Sequence, residues 1–156
     1  MVDIGVDAVT AAYLDPVDGT FNAVSIALSD GDQMIAGYMK NIENGETFTA
    51  ICGEGAYLNG NQIQVSNETM LDHSTMSVYA KKFDMTRMMQ LGHKIRCWRL
   101  LGASALELCY VACGQLDGFV DMRGTLRVMN AVASILICQE SGGRVSLPDG
   151  SQVTFQ

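Results

Sequence analysis

Val9-Thr10-Ala11-Ala12-Tyr13-Leu14-Asp15-Pro16-Val17-Asp18-Gly19-Thr20 is the stretch on which the fold turns. Its small, β-branched and aromatic residues stop at Asp15-Pro16, which predicts a buried strand from Val9 to Leu14 with Asp15 at its C-terminal end. Outward from there, Val24 to Leu28 reads as a second strand. Ser29-Asp30-Gly31-Asp32 is a turn, and Met34 to Met39 is the neighbouring strand. Asn44-Gly45 is the next turn signal, with Thr47 to Cys52 returning beyond it. The pattern predicts an antiparallel meander. Gly53, Gly55 and Asn59-Gly60 then read as a glycine-punctuated loop and a tight turn, followed by a short strand over Gln62 to Val65.

Past this point the periodicity changes. Thr75 to Tyr79 reads as a strand, and Asp84 caps a helix to about Leu91 with Met85, Met88, Met89 and Leu91 on or near its apolar face. Arg96 to Leu100 is a strand. Ser104 is the expected N-cap of a mostly apolar helix that Gly114 ends. Gly118 to Asp121 is a brief strand, Asn130 to Cys138 a buried helix ended by Ser141-Gly142-Gly143, and Arg144 to Leu147 a strand before the Asp149-Gly150 turn. A meander followed by alternating strands and helices predicts an α+β front joined to an α/β layer. No internal repeat or linker divides the chain, so residues 1–156 are expected to form one unit, with an antiparallel half over 1–66 and an α/β half over 75–156.

Composition narrows the function. With 156 residues, 48% hydrophobic and 17% charged, the chain carries enough apolar side chains for its own core. Ten Lys and Arg against 17 Asp and Glu give a formal charge of -7, which argues against nucleic-acid or anionic-membrane partners. No run approaches the ~18 apolar residues of a membrane span, and the N-terminal acids do not resemble a secretory leader, so a cytoplasmic location is expected. Cys52, Cys97, Cys109, Cys113 and Cys138 lack CxxC spacing and mostly sit in apolar segments, which predicts reduced, buried thiols. The ten methionines read as core filling.

The chemistry concentrates in Asp15-Pro16-Val17-Asp18-Gly19-Thr20, where two carboxylates three residues apart flank a proline-fixed turn. A hard divalent cation takes carboxylate and carbonyl oxygens, so the Asp15 and Asp18 side chains and the Val17 carbonyl form an oxygen donor set suited to Mg²⁺. Gly19 admits a ligand close to the backbone, and a helix beginning near Thr20 would turn free N–H groups toward an anion. The same residue types are also those of an ordinary surface turn.

Three segments taken together go further. Leu14 to Asn22, Gly53-Glu54-Gly55-Ala56-Tyr57-Leu58-Asn59-Gly60, and Leu101-Gly102-Ala103-Ser104-Ala105-Leu106-Glu107-Leu108-Cys109-Tyr110-Val111-Ala112 with Gly114 to Phe119 resemble, in this order, the inositol monophosphatase family. The archaeal members that also dephosphorylate fructose 1,6-bisphosphate look most similar, and Asn130 to Gly143 extends the resemblance through nearly the whole chain. The resemblance implies a Mg²⁺-dependent phosphomonoesterase, a hydrolase of a small phosphorylated polyol or sugar, on a layered αβαβα sandwich. It makes Asp15 the metal-bridging carboxylate, Val17 a carbonyl ligand, Asp18 a ligand of a second ion and Thr20 the group that orients water. Gly19 and Thr20 would hold phosphate, and Gly102, Ala103, Ser104, Asp121 and Arg123 would contact the sugar or polyol.

The chain departs from that family at three points. The upstream Gly-Glu-Glu segment and long N-terminal helices have no counterpart, leaving Asp3 as the nearby carboxylate, and the C-terminal strand and helix are absent as well. Asn130 stands where the family has its last metal aspartate; it offers a neutral carbonyl oxygen or, as the simpler role, a helix cap. The connection from Phe21-Asn22-Ala23-Val24 into the next strand is also shortened. A fold truncated at both ends is expected to associate with another copy, most simply as a dimer. These departures keep a second reading open: a non-catalytic homologue retained for oligomerisation or weak metal and phosphate binding. Among the remaining polar residues, His93 reads as an exposed loop histidine, and Glu107 as a carboxylate either touching substrate or partly buried and hydrogen-bonded. Of Arg96, Arg99, Arg123 and Arg127, only Arg123 is favoured for a second anion, by its position after Asp121.

Overall fold

Strand β1 (Ala11–Val17) begins a meander that continues through β2 (Ala23–Asp30), β3 (Gln33–Asn41), β4 (Thr47–Ile51), β5 (Gly55–Leu58) and β6 (Asn61–Ile63), each antiparallel to the next in one six-stranded sheet. The computed structural model describes residues 11–17, 22–31, 33–79, 85–124, 126 and 128–153. On β2 the burial alternates strictly: Ala23, Ser25, Ala27 and Ser29 are buried and Val24, Ile26 and Leu28 half-buried. That period of two is what fixes the face turned to the core.

Two expectations for this sheet need correction. The first strand does not stop at Leu14. It runs through Asp15 and Pro16 to Val17, pairing Asp15 with Ser25, Pro16 with Val24 and Val17 with Ala23. Pro16 is tolerated because β1 ends the described strand order, where a missing N–H need not break a ladder between two neighbours. The stretch read as a glycine-punctuated loop also contains β5, whose Ala56 is buried against the helices. The Asn59-Gly60 turn is as expected: Asn59 adopts φ 52°, and its side-chain oxygen accepts the Thr47 N–H at 2.9 Å.

The second half is built on crossovers. β7 (Thr75–Tyr79), helix α1 (Met85–Gly92), β8 (Cys97–Arg99), helix α2 (Ser104–Ala112) and β9 (Gly118–Asp121) form a three-stranded sheet of order β8-β7-β9 in which both pairings are parallel. Helix α3 (Val128–Glu140) follows. It packs on α2 and across strands β1 to β5, while α2 also touches β9, so the helix pair lies between the sheets. Ala131 to Cys138 are buried without interruption, as befits a helix covered on every side. Leu106, Ile137, Phe48 and Met39 fill the centre, with Phe48 meeting the Tyr110 ring edge-on at 6.0 Å. Gly37 shows how close the packing is, since a Cβ there would lie 2.8 Å from the Ala133 carbonyl oxygen. At its far end α3 is fastened by Glu140, whose carboxylate accepts the N–H groups of Gly53 and Gly55 at 2.9 and 3.0 Å.

Smaller corrections follow from this arrangement. Arg144 to Leu147 forms no strand; only a bridge between Ser146 and Gln152 marks the region. Met89 is exposed, while Met34, Met39 and Met88 are buried. All five cysteines are free thiols, but only Cys109 and Cys138 are buried; Cys52 is exposed. No helix among the described residues is long and apolar enough to cross a membrane.

Candidate active site

The parallel sheet gathers one group of polar residues at the C-terminal ends of its strands, the usual place for a ligand crevice in such sheets. Tyr79 ends β7 and pairs in register with Asp121, which ends β9. After β8 the chain passes through Gly102, at φ 90°, into Ala103 and the first residue of α2, Ser104. This left-handed backbone is open to glycine at little cost and strained for a residue with a Cβ. Ala103 is the helix N-cap and makes no side-chain capping bond, so Ser104 is not the cap the sequence suggested. Its hydroxyl is used differently.

Arg123 joins these ends. Its Nη2 donates to Ser104 Oγ at 2.8 Å and to Asp121 Oδ2 at 2.6 Å, and its Nε reaches both Asp121 oxygens at 3.1 and 3.2 Å. The Arg123 backbone N–H also donates to Asp121 Oδ1 at 2.8 Å. The guanidinium carbon lies 4.1 Å from the centroid of the Tyr79 ring, within cation–π range. Asp121 hydrogen-bonding holds the Arg123 proton above its ordinary range.

Beneath this surface layer lies Glu107, fully buried on α2. Its Oε1 accepts from Ser77 Oγ and from the Leu101 N–H, both at 2.7 Å, and its Oε2 accepts from the Tyr79 hydroxyl in a short bond. Of the two roles open to it in the sequence, the hydrogen-bonded buried carboxylate is the one observed. Burial pushes the Tyr79 phenol well above its ordinary range, Glu107 adds to this, and the Gly102 backbone and Ser104 hydroxyl oppose it in part. Tyr79, Ser77 and the Leu101 amide were not singled out in the sequence; the signal for them was a lone acid inside an apolar helix, which must find donors.

The structure therefore brings Gly102, Ala103, Ser104, Asp121 and Arg123 together. Asp15 and Val17 lie on β1, with Asp15 opposite the buried Ser25, and α3, which packs against β1, carries Asn130 as the third residue of its first turn. Asn130 is thus inside the helix and is not its cap. Asp18, Gly19, Thr20, Arg127, Asp3 and Asp84, and the side chains of Asp15 and Asn130, lie outside the described residues. Among the described residues no three His, Cys, Asp or Glu cluster to hold a metal. Asp121 and Glu107 both accept from donors of this chain, and the expected cation donors Asp15, Asp18, the Val17 carbonyl and Asn130 are the ones the sequence reading named. That set is all oxygen and carries two carboxylates, which suits a hard ion such as Mg²⁺. His93 is exposed, and Arg96 and Arg99 donate to groups near their own strand.

Comparison with known proteins bears on the fold and the family. The chain is 35% identical to the fructose-1,6-bisphosphatase/inositol-1-monophosphatase of Methanothermobacter thermautotrophicus over 90% of its own length and 56% of that protein. It is 37% identical to inositol monophosphatase 2 of Solanum lycopersicum over 89% of its length and 58% of the relative. It therefore spans little more than half the length of these relatives. In structure it superposes on the extragenic suppressor protein suhB from Bartonella henselae with a TM-score of 0.82 at 32% identity, covering 89% of this chain and 60% of that one. A Pyrococcus horikoshii protein with similarities to inositol-1 monophosphatase gives a TM-score of 0.82 at 32% identity, with 93% and 59% covered. The layered fold is thus that of these proteins over the part that this chain covers. With the family's sequence profile matching residues 5–156, the chain belongs to the inositol monophosphatase family.

Proposed function

We propose that this chain is a Mg²⁺-dependent phosphatase that hydrolyses a phosphomonoester of a small polyol or sugar, an inositol phosphate or fructose 1,6-bisphosphate. The observation that carries the reading is the Asp121–Arg123–Ser104 network at the ends of parallel strands, in a chain whose relatives are named as phosphatases of such substrates. Asp121 and Ser104 supply acceptors and a hydroxyl for polyol oxygens, and Arg123, beside them, orients the Asp121 carboxylate and presents the remaining guanidinium edge to substrate. Gly19 and Thr20 receive the phosphoryl group through backbone N–H groups, and Thr20 orients the attacking water. Asp15, Asp18, the Val17 carbonyl and, more weakly, Asn130 would hold the metal, which when bound polarises the phosphoryl group and lowers the pKa of water. A cytoplasmic, self-associating protein is part of the same reading, supported by the exposed Trp98 and Leu100 on and after the edge strand β8.

One observation favours a non-catalytic homologue instead: the first turn of α3 carries Asn130 rather than a carboxylate. Release of inorganic phosphate from inositol 1-phosphate and fructose 1,6-bisphosphate, with and without Mg²⁺, separates the two readings. Mg²⁺-dependent release is expected. Its absence from both substrates would establish the homologue.

A further inference from the structure

The geometry points to Glu107 as a positioning residue that sets the polyol-binding surface without touching the substrate; the inference rests on the phosphatase reading above. Glu107 is sealed from solvent and sits one turn into α2, yet its three donors come from two other elements: Ser77 and Tyr79 on β7, and the Leu101 amide just before Gly102. Two of these contacts fix different parts of the surface. The Leu101 bond pins the approach to the left-handed Gly102, and with it Ala103 and Ser104. The Tyr79 bond fixes the rotation of a ring on whose face Arg123 rests, and Arg123 in turn holds Asp121 and Ser104.

The chemistry of this residue is specific. Glu107 serves here as an acceptor only: its two oxygens receive an amide, a hydroxyl and a phenol, all donors. A glutamine keeps the size but turns an NH₂ group toward one of these donors, so that at least one must swing away. A buried carboxylate kept only for packing would be replaceable by any side chain of its volume. One that aligns two branches of a binding surface is replaceable only by another acceptor of the same reach. Among the described contacts neither branch reaches β1, so the loss should fall on polyol recognition and spare the phosphoryl chemistry.

The test is a comparison of two substrates in Glu107→Gln and Tyr79→Phe, with folding followed by circular dichroism. Inositol 1-phosphate needs the polyol surface; an aryl phosphate has no polyol hydroxyls. For Glu107→Gln we expect KM for inositol 1-phosphate to rise about tenfold, the lower end of the usual cost of losing a supporting partner, while kcat with the aryl phosphate changes less than twofold. Tyr79→Phe keeps the ring under Arg123 but drops the hydroxyl, and should show the same split at a smaller amplitude. Equal loss on both substrates in folded Glu107→Gln, or no change in KM, overturns the inference. Should Glu107→Gln fail to fold, Tyr79→Phe decides alone: the split supports the role and unchanged kinetics overturn it. Should the wild-type chain hydrolyse neither substrate, the phosphatase reading falls, and the positioning role is read from the amide resonances of Gly102 and Ser104. Shifts there in Tyr79→Phe support it; unmoved resonances overturn it.

Discussion

The two ends of this molecule are organised by opposite rules. In the six-stranded sheet each strand pairs with its neighbour in sequence, through turns of a few residues. In the parallel sheet the residues that meet are distant along the chain: Ser77 and Glu107 are 30 apart and Tyr79 and Glu107 28 apart. The first region holds the proposed metal ligands and the second the proposed polyol surface. On the proposed reading, metal binding would draw mainly on β1 and the residues after it, with Asn130 of α3, whereas substrate recognition would depend on the crossovers being seated correctly. Damage to one region should be separable from damage to the other.

The largest separation is expected from Asp15→Asn. It removes a charge from the proposed donor set on β1 while leaving the Tyr79, Glu107 and Arg123 network in place. Mg²⁺-dependent phosphate release should fall by about 100-fold or more, with an unchanged unfolding midpoint; retention of full activity would remove β1 from the mechanism. Gly37→Ala probes what connects the regions. Its new Cβ would meet the Ala133 carbonyl at 2.8 Å, backbone against backbone, so the helix must lift. A loss of about 1–3 kcal/mol in denaturant unfolding is expected, typical of overpacking. No loss would mean that α3 rides more loosely on the sheet.

The smallest effect concerns pH. Burial raises the Cys138 thiol from its ordinary 9.0 to about 11. The folded state then holds the proton more tightly than the unfolded state, so this stabilisation is complete below pH 9 and is lost as pH rises through 11. Burial shifts Cys109, on the facing helix, in the same direction. The unfolding midpoint should decline between pH 9 and 11, and Cys138→Ala should flatten that decline. An unaltered slope would assign the alkaline loss to other groups.

The same contrast governs what can be read from the residues alone. Alternation along β2 and the turn at Asn59-Gly60 are local signals, and the meander they predict is the one observed. β5 was hidden because it opens on Gly55 and offers only three further residues, and β1 was cut short because Pro16 reads as a stop unless its strand is known to lie at an edge. Arg144 to Leu147 has strand-like residues, but only Ser146 makes a bridge. Within the site, Gly102 and Ser104 were reachable because they fall in a segment that resembles a family, and Asp121 and Arg123 because they lie just beyond one. The partners of Glu107 were not, since an acid in an apolar helix announces that donors exist without saying from which strand they come.

One consequence of the Glu140 clasp concerns leverage. Fixed at that end by Gly53 and Gly55, α3 has Ala133 about 10 Å away and Asn130 about 15 Å away along its axis. A tilt that lifts the helix by about 1 Å at the Gly37 contact would carry Asn130 by about 1.5 Å. A small misfit on the sheet would thus arrive magnified at the end of the helix nearest the proposed metal.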